Sequence, residues 1–179
     1  MNIDLTATAL ANRQSAERKA TEALEEMARL GDSTALLLFG ESIATVSWLD
    51  GFLCTLLLSD MAVKVVVVTS LEDTREHIDM TLRRRNLAVL SSFDSASLSA
   101  GDITVLGDVS EANHEAFAIV RDGGEVLVAD VASKLNISIE AAQQRLTSLV
   151  ELRLVSRAKI RKAYAYQLPR IEARELEIA

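Results

Sequence analysis

Two hydroxyls and a carboxyl stand where an apolar helix is predicted to begin, and they could bind or carry a phosphate. Ser47 and Asp50 fit the capping pattern [ST]-x-x-[DE], and Thr45 lies two residues earlier. A strand that delivers a hydroxyl to a helix N-terminus recurs in phosphate sites. The same pattern also serves merely to begin a helix, because the hydroxyl accepts a hydrogen bond from an unpaired backbone amide. Ser47 is therefore predicted to be the helix cap, with both interpretations open.

The same segment has the spacing of a nucleotide-binding loop. Residues 40–47 align with G-x-x-x-x-G-K-[ST], but Thr45 stands in place of the second glycine and Val46 in place of the lysine. That lysine supplies the charge that contacts the phosphates, and that glycine permits close approach of the backbone. ATP hydrolysis is therefore not expected, and a degenerate nucleotide-binding protein is the third hypothesis for this chain.

Other catalytic or metal-binding patterns are missing from the sequence. His77 and His114 have no cysteine, aspartate or second histidine at ligand spacing, and Cys54, the single cysteine, lies in an apolar helix as a small core residue. The sequence thus predicts a protein that is not an enzyme and needs no metal or cofactor.

Basic residues concentrate near the C-terminus of an otherwise acidic chain. The net charge is -7, yet residues 134–170 contain eight basic and two acidic residues. Residues 128–138, VADVASKLNIS, and residues 149–157, LVELRLVSR, resemble the winged helix-turn-helix family, with Ala132 and Ser138 at the family's small and capping positions. The resemblance implies that the second helix enters the major groove of double-stranded DNA and that the wing meets phosphates. The implied DNA-binding residues are Gln143, Gln144, Arg145, Thr147, Ser148, Arg157, Lys159, Arg161 and Lys162.

A protein interface is the alternative role for this winged helix. Glu140, at the start of the second helix, would repel a nearby phosphate, and the last nine residues contain three glutamates. An assembly or adaptor protein is therefore the second hypothesis.

Residues 8–90 resemble the STAS-like family, relatives of anti-anti-sigma-factor domains. The resemblance rests on residues 10–18, LANRQSAER, and on residues 43–53, IATVSWLDGFL, which contain Ser47, Trp48 and Asp50. Gly51 stands where the family has a second acidic residue. The resemblance implies a non-enzymatic signalling module that binds a protein partner, with phosphorylation at Ser47 or, as the second candidate, Thr45.

Strands that alternate with helices predict the fold class, α/β, for the first part of the chain. A helix is predicted over residues 6–30, strands over 35–39, 64–69 and 87–90, and three helices, the second over 128–135, with a hairpin thereafter. We expect a small STAS-like sheet-and-helix domain at residues 1–108 and a winged helix-turn-helix domain with an acidic tail at residues 109–179. The absence of a leader or membrane segment predicts a cytoplasmic protein. The long first helix and the all-apolar strand at 64–69 suggest a homodimer.

Overall fold

A five-stranded mixed sheet forms the centre of the fold. The structure, a computed structural model, describes residues 1–6, 10–94, 100–160 and 163–170. The first four strands are parallel and stand in chain order, and the fifth runs antiparallel to the fourth. The predicted α/β fold class is confirmed. The strands are β1 (Asn2–Asp4), β2 (Thr34–Gly40), β3 (Lys64–Thr69), β4 (Ala88–Ser92) and β5 (Thr104–Gly107).

Three helices cover one face of this sheet. They are α1 (Arg13–Leu30), α2 (Val46–Leu57) and α3 (Glu72–Arg83), and each connects two neighbouring parallel strands. Because such crossovers are right-handed, connections that always step in the same direction place their helices on the same face. The core on this side includes Ala20, Trp48 and Ile78 from the helices and Val65 and Val67 from the sheet.

The C-terminal unit, residues 109–170, covers the opposite face. It contains α4 (Glu111–Gly123), β6 (Val126–Leu127), α5 (Val128–Leu135), α6 (Ile139–Glu151) and the hairpin of β7 (Ser156–Ile160) and β8 (Ala163–Gln167). Its three strands form a second sheet in the order β6-β8-β7. Residues of this unit and of the central sheet share one continuous hydrophobic core, to which the sheet contributes Leu36, Val66, Val68, Ala88 and Leu90.

Both faces of β3 are therefore buried, as the run of four valines predicts. Val65 and Val67 pack under the three helices, and Val66 and Val68 pack under the C-terminal unit. Since the chain itself covers both faces, β3 supplies no free surface for a second copy. The homodimer therefore remains a prediction from the sequence, and the strand at 64–69 no longer supports it.

The structure corrects the predicted start of the first helix. The helix begins at Arg13, and the side chain of Asn12 caps it by accepting a hydrogen bond from the amide of Ser15 at 3.2 Å. The prediction of helix from residue 6 is wrong for residues 6 and 10–12, and residues 7–9 lie outside the described residues. Strand β1, which pairs with β2 ahead of this helix, was not predicted.

Two apolar residues that the helical periodicity assigns to the core are exposed. Leu30 is 44% exposed and Ile139 is 51% exposed. Leu30 is the last residue of α1 and Ile139 is the first residue of α6, so each has a helical turn on one side only. Across the described residues, no helix is both long and apolar enough to cross a membrane.

Candidate functional site

The start of α2 is capped by Thr45, so the prediction that Ser47 is the cap is wrong. Thr45 has extended backbone, and its Oγ1 accepts a hydrogen bond from the amide of Trp48 at 3.3 Å and donates one to the carbonyl of Leu10 at 3.2 Å. Ser47 lies within the first turn of the helix, with an exposed side chain. Its hydroxyl forms no hydrogen bond with any residue that the structure describes. It is therefore available for a ligand or a modification.

Asp50 connects α2 to the start of α1 and to the turn after α3, instead of completing a cap. Arg85 donates to both of its carboxylate oxygens, from Nε to Oδ1 at 2.7 Å and from Nη2 to Oδ2 at 2.8 Å, and Arg13 Nη1 donates to Oδ2 at 2.8 Å. The hydrogen bond from Arg85 above all, with smaller contributions from a Cys54 hydrogen bond and the charge of Arg13, lowers the pKa of Asp50. The carboxylate therefore stays ionised and holds the two guanidinium groups beside the start of α2.

A cavity of about 490 Å³ opens beside this cluster. Its wall is formed by Val46, Ser47, Asp50, Thr81, Arg84 and Arg85. The Arg84 guanidinium contacts the Met80 sulfur at 3.5 Å and forms no ion pair with a described acidic residue. The rim of the cavity thus has more positive than negative charge, which suits an acidic group of a partner. The sequence pattern does not reveal this site, because Arg84 and Arg85 lie in the turn after α3 and reach the start of α2 only in the fold.

Cys54 lies behind Asp50 and is poorly suited to nucleophilic chemistry. Its thiol is half-buried and donates to Asp50 Oδ1 at 3.5 Å. Burial, followed by the negative charge of Asp50, raises the pKa of the thiol to about 11. The reactive thiolate is therefore scarce at neutral pH. Among the described residues, no group of three or more histidine, cysteine, aspartate or glutamate side chains could hold a metal ion.

The loop that resembles a nucleotide-binding loop is held by side chains of neighbouring elements. Thr69 Oγ1 donates to the Gly40 carbonyl at 3.2 Å, and Thr74 Oγ1 donates to the Ser42 carbonyl at 2.9 Å. His77 Nδ1 lies 2.9 Å from the Ala44 carbonyl, so that nitrogen is assigned the proton. These contacts give His77 a structural role and fix the loop without a ligand.

On α6, three of the side chains predicted to contact DNA form hydrogen bonds within the C-terminal unit. Gln143 Nε2 donates to Tyr166 Oη at 2.9 Å and to Thr147 Oγ1 at 3.3 Å. Arg145 Nη1 donates to Glu115 Oε2 at 2.8 Å and to the Ala112 carbonyl at 3.1 Å. The single cation of α6 is thus neutralised by α4.

The outward side of α6 is polar and acidic. Gln144 is exposed and Ser148 is half-buried, as is Thr147. Glu140 and Glu151, at the two ends of the helix, are both exposed. Hydrogen bonds from its own backbone amide and from Ser138 lower the pKa of Glu140, so it remains charged. A phosphate that approached this side would meet two carboxylates and no free cation among the described residues of α6.

The hairpin presents the opposite charge. Arg157 and Lys159 are exposed, and the Arg157 guanidinium lies 4.7 Å from the centroid of the Tyr164 ring on the neighbouring strand. Arg157 pairs with Tyr166 in the ladder, so Tyr164 is its diagonal neighbour and reaches it across the sheet. Arg161 and Lys162, also predicted to contact phosphates, lie outside the described residues.

No protein-family model, curated protein or solved structure matches this chain. The resemblances to STAS-like and winged-helix families therefore remain predictions from the sequence. Two surfaces of the molecule have the charge to bind a partner: the arginine-lined cavity beside Ser47, and the basic hairpin next to the acidic side of α6.

Proposed function

We propose that the chain is a cytoplasmic, non-enzymatic regulator, in which a STAS-like module binds a protein partner and a winged helix binds double-stranded DNA. The proposal that the chain binds DNA rests on the distribution of cations in the C-terminal unit. Arg145 of α6 is paired with Glu115, whereas Arg157 and Lys159 of the hairpin are exposed without an ion pair to any described residue.

The hairpin, rather than α6, supplies the main contacts to DNA in this proposal. Lysine and arginine neutralise phosphates, and the sequence adds Arg161 and Lys162 to the two cations described above. The cation–π contact with the Tyr164 ring restricts the orientation of the Arg157 guanidinium. Less side-chain entropy is therefore lost when Arg157 binds a phosphate. Gln144 alone is exposed among the five candidate readers on α6, and the other four are half-buried. We therefore expect binding with weak preference for base sequence.

A titration of duplex DNA at several salt concentrations tests this proposal. Each phosphate contact contributes about 0.9 to the slope of log K against log salt, so Arg157→Gln and Lys159→Gln together should reduce that slope by about 1.8. Arg29→Gln, a charge change on α1, is the matched control and should leave the slope unchanged. If the protein does not bind duplex DNA even at low salt, the proposal that it is a DNA-binding protein is wrong.

The proposal that the α/β part binds a protein partner rests on the exposed Ser47 hydroxyl at the rim of the arginine-lined cavity. A phosphate on Ser47 would add about -1.5 to -2 charges beside Arg84 and Arg85 and so change which partner docks. Ser47 is preferred over Thr45 because the Thr45 hydroxyl already serves as the helix cap. Mass spectrometry of the protein isolated from its own cells should locate a phosphate on Ser47. Phosphorylation at other positions only would contradict this assignment.

An adaptor that uses the winged helix as a protein interface is the second candidate. The exposed Glu140 and Glu151 on α6 favour it, because they repel DNA but could pair with a basic partner. The double change Glu140→Gln and Glu151→Gln separates the candidates. It should strengthen DNA binding if α6 faces phosphates, and it should weaken a purified protein complex if α6 is a protein interface.

A further inference from the structure

A second cavity, of about 340 Å³, lies between the central sheet and the base of the hairpin. On the side of the central sheet, the cavity is lined by Lys64, the first residue of β3, and by the loop that precedes β2. The C-terminal unit contributes Ser156, Gln167 and Arg170. The volume is at the lower end of the range for small-molecule sites, which is about 300–1,000 Å³.

The cavity contains two cations that have no counter-charge in the described part of the chain. Neither Lys64 nor Arg170 forms an ion pair with a described acidic residue. Asp32, the carboxylate in the wall, forms an ion pair with the Met1 ammonium group at 3.2 Å, and that group donates its hydrogen bond to the Thr34 carbonyl at 2.7 Å. The excess of positive charge therefore belongs to Lys64 and Arg170.

Polar groups at the base of the hairpin complete the wall. Ser156 and Gln167 are paired residues in the ladder of β7 and β8, and both are half-buried. A hydroxyl and a carboxamide can each donate a hydrogen bond to an oxygen anion. The cavity thus combines two cations with two neutral donors, and they come from both parts of the fold.

We propose that this cavity binds a small dianion, either a phosphate monoester or a dicarboxylate. Lys64 and Arg170 neutralise its charge, and Ser156 and Gln167 donate hydrogen bonds to its oxygens. Because Lys64 belongs to the sheet and the other three belong to the hairpin and its exit, the bound anion joins the base of the hairpin to the sheet. The site is separate from the hairpin's exposed cations and does not depend on DNA binding.

Thermal unfolding of the full chain, without DNA, tests this site. The probes are inorganic phosphate and succinate, each compared with sodium chloride at the same ionic strength. A probe present at about ten times its Kd should raise the Tm by about 3–6 °C for a chain of this size. A rise with phosphate alone indicates a phosphate ligand, a rise with succinate alone indicates a dicarboxylate, and either result supports the site.

Three variants show whether the rise in Tm comes from binding in this cavity. Lys64→Gln and Arg170→Gln should abolish the rise, whereas Lys159→Gln, a charge change on the same hairpin but outside the cavity, should keep it. In an NMR titration of the unchanged protein, the amide shifts of Lys64, Ser156 and Gln167 should move first. No rise above that in chloride, or an equal rise in all three variants, would overturn the proposal.

Discussion

Arg153, in the turn after α6, donates a hydrogen bond from Nη1 to the carbonyl oxygen of Leu57 at 2.7 Å, 96 positions earlier in the chain. The same nitrogen lies 3.3 Å from the Val63 carbonyl. Leu57 is the last residue of α2, where carbonyls lack helical partners and the helix dipole is negative. A cation from the C-terminal unit thus satisfies the end of a helix in the first part of the chain.

Replacing Arg153 by alanine should destabilise the whole fold. The change removes a charge-assisted hydrogen bond and leaves a half-buried carbonyl unpaired, so the free energy of unfolding should fall by about 1.5–3 kcal/mol in urea denaturation. The control is Arg18→Ala, which removes only an exposed pair with Glu22 and should change stability by less than about 0.5 kcal/mol. Equal effects of the two changes would show that the Arg153 contact is unimportant.

Gly107, the last residue of β5, cannot accept a side chain. Its φ is +110°, and a Cβ there would lie 2.2 Å from the Leu87 carbonyl oxygen and 2.8 Å from the Ala88 Cα. Gly107→Ala should therefore lower the free energy of unfolding by about 3–5 kcal/mol or prevent folding. Gly101→Ala is the matched control, since nothing lies within 4 Å of the added atom. Thermal unfolding of both variants would check this, and a Tm for Gly107→Ala close to that of Gly101→Ala would contradict it.

The sequence predicts elements well where a local pattern decides them. The four valines of β3 show no alternation, which correctly indicates burial on both faces. The helix α5 is found at the predicted bounds, Val128–Leu135, because Asn136 ends it in a left-handed conformation that asparagine tolerates. These features depend on neighbouring residues only, so periodicity and turn chemistry are sufficient.

Features that depend on distant residues were missed. β1 has three residues, too few to show a pattern, and it is a strand because it pairs with β2 more than 30 positions away. The capping pattern fits Ser47 and Asp50, but Asp50 binds Arg85 from the turn after α3, and Thr45 caps the helix. Helical periodicity places Gln143 and Arg145 off the core of α6, yet it does not reveal that β8 and α4 contact them.

Asp50→Asn should make stability less dependent on pH in acid. The folded pKa of Asp50 lies below its ordinary value of 3.8, so its ionised form stabilises the fold above about pH 4. This contribution is lost as pH falls through the lowered folded pKa. Urea denaturation should therefore show the variant less stable than the unchanged protein at pH 6, with the difference shrinking below pH 4. If the difference in free energy of unfolding between the two proteins stayed constant from pH 6 to below pH 4, the lowered pKa of Asp50 would be contradicted.

The Cys54 thiol should react slowly with iodoacetamide in the folded protein. At pH 8, a thiol whose pKa is about 11 has roughly 100-fold less thiolate than the same thiol at the ordinary value of 9.0. The alkylation rate of the folded protein should keep rising about tenfold per pH unit up to pH 11, whereas the urea-unfolded chain should level off above pH 9. Since Cys54 is the single cysteine, total alkylation measures it alone. Equal rates in the folded and unfolded chains at pH 8 would show that the thiol is not protected.

Residues 1–108, produced without the C-terminal unit, should not remain a soluble monomer. The unit covers β2, β3 and β4 on one face of the central sheet, where Leu36, Val66, Val68 and Leu90 are each no more than 6% exposed. Burying each such side chain contributes about 1.5–3 kcal/mol, and an exposed apolar face of this kind promotes association. Size-exclusion chromatography with light scattering should show aggregates or a dimer formed through this face, with the full chain as the control. A folded monomer of residues 1–108 would mean that the sheet does not need the shared core, and that the two parts are independent domains.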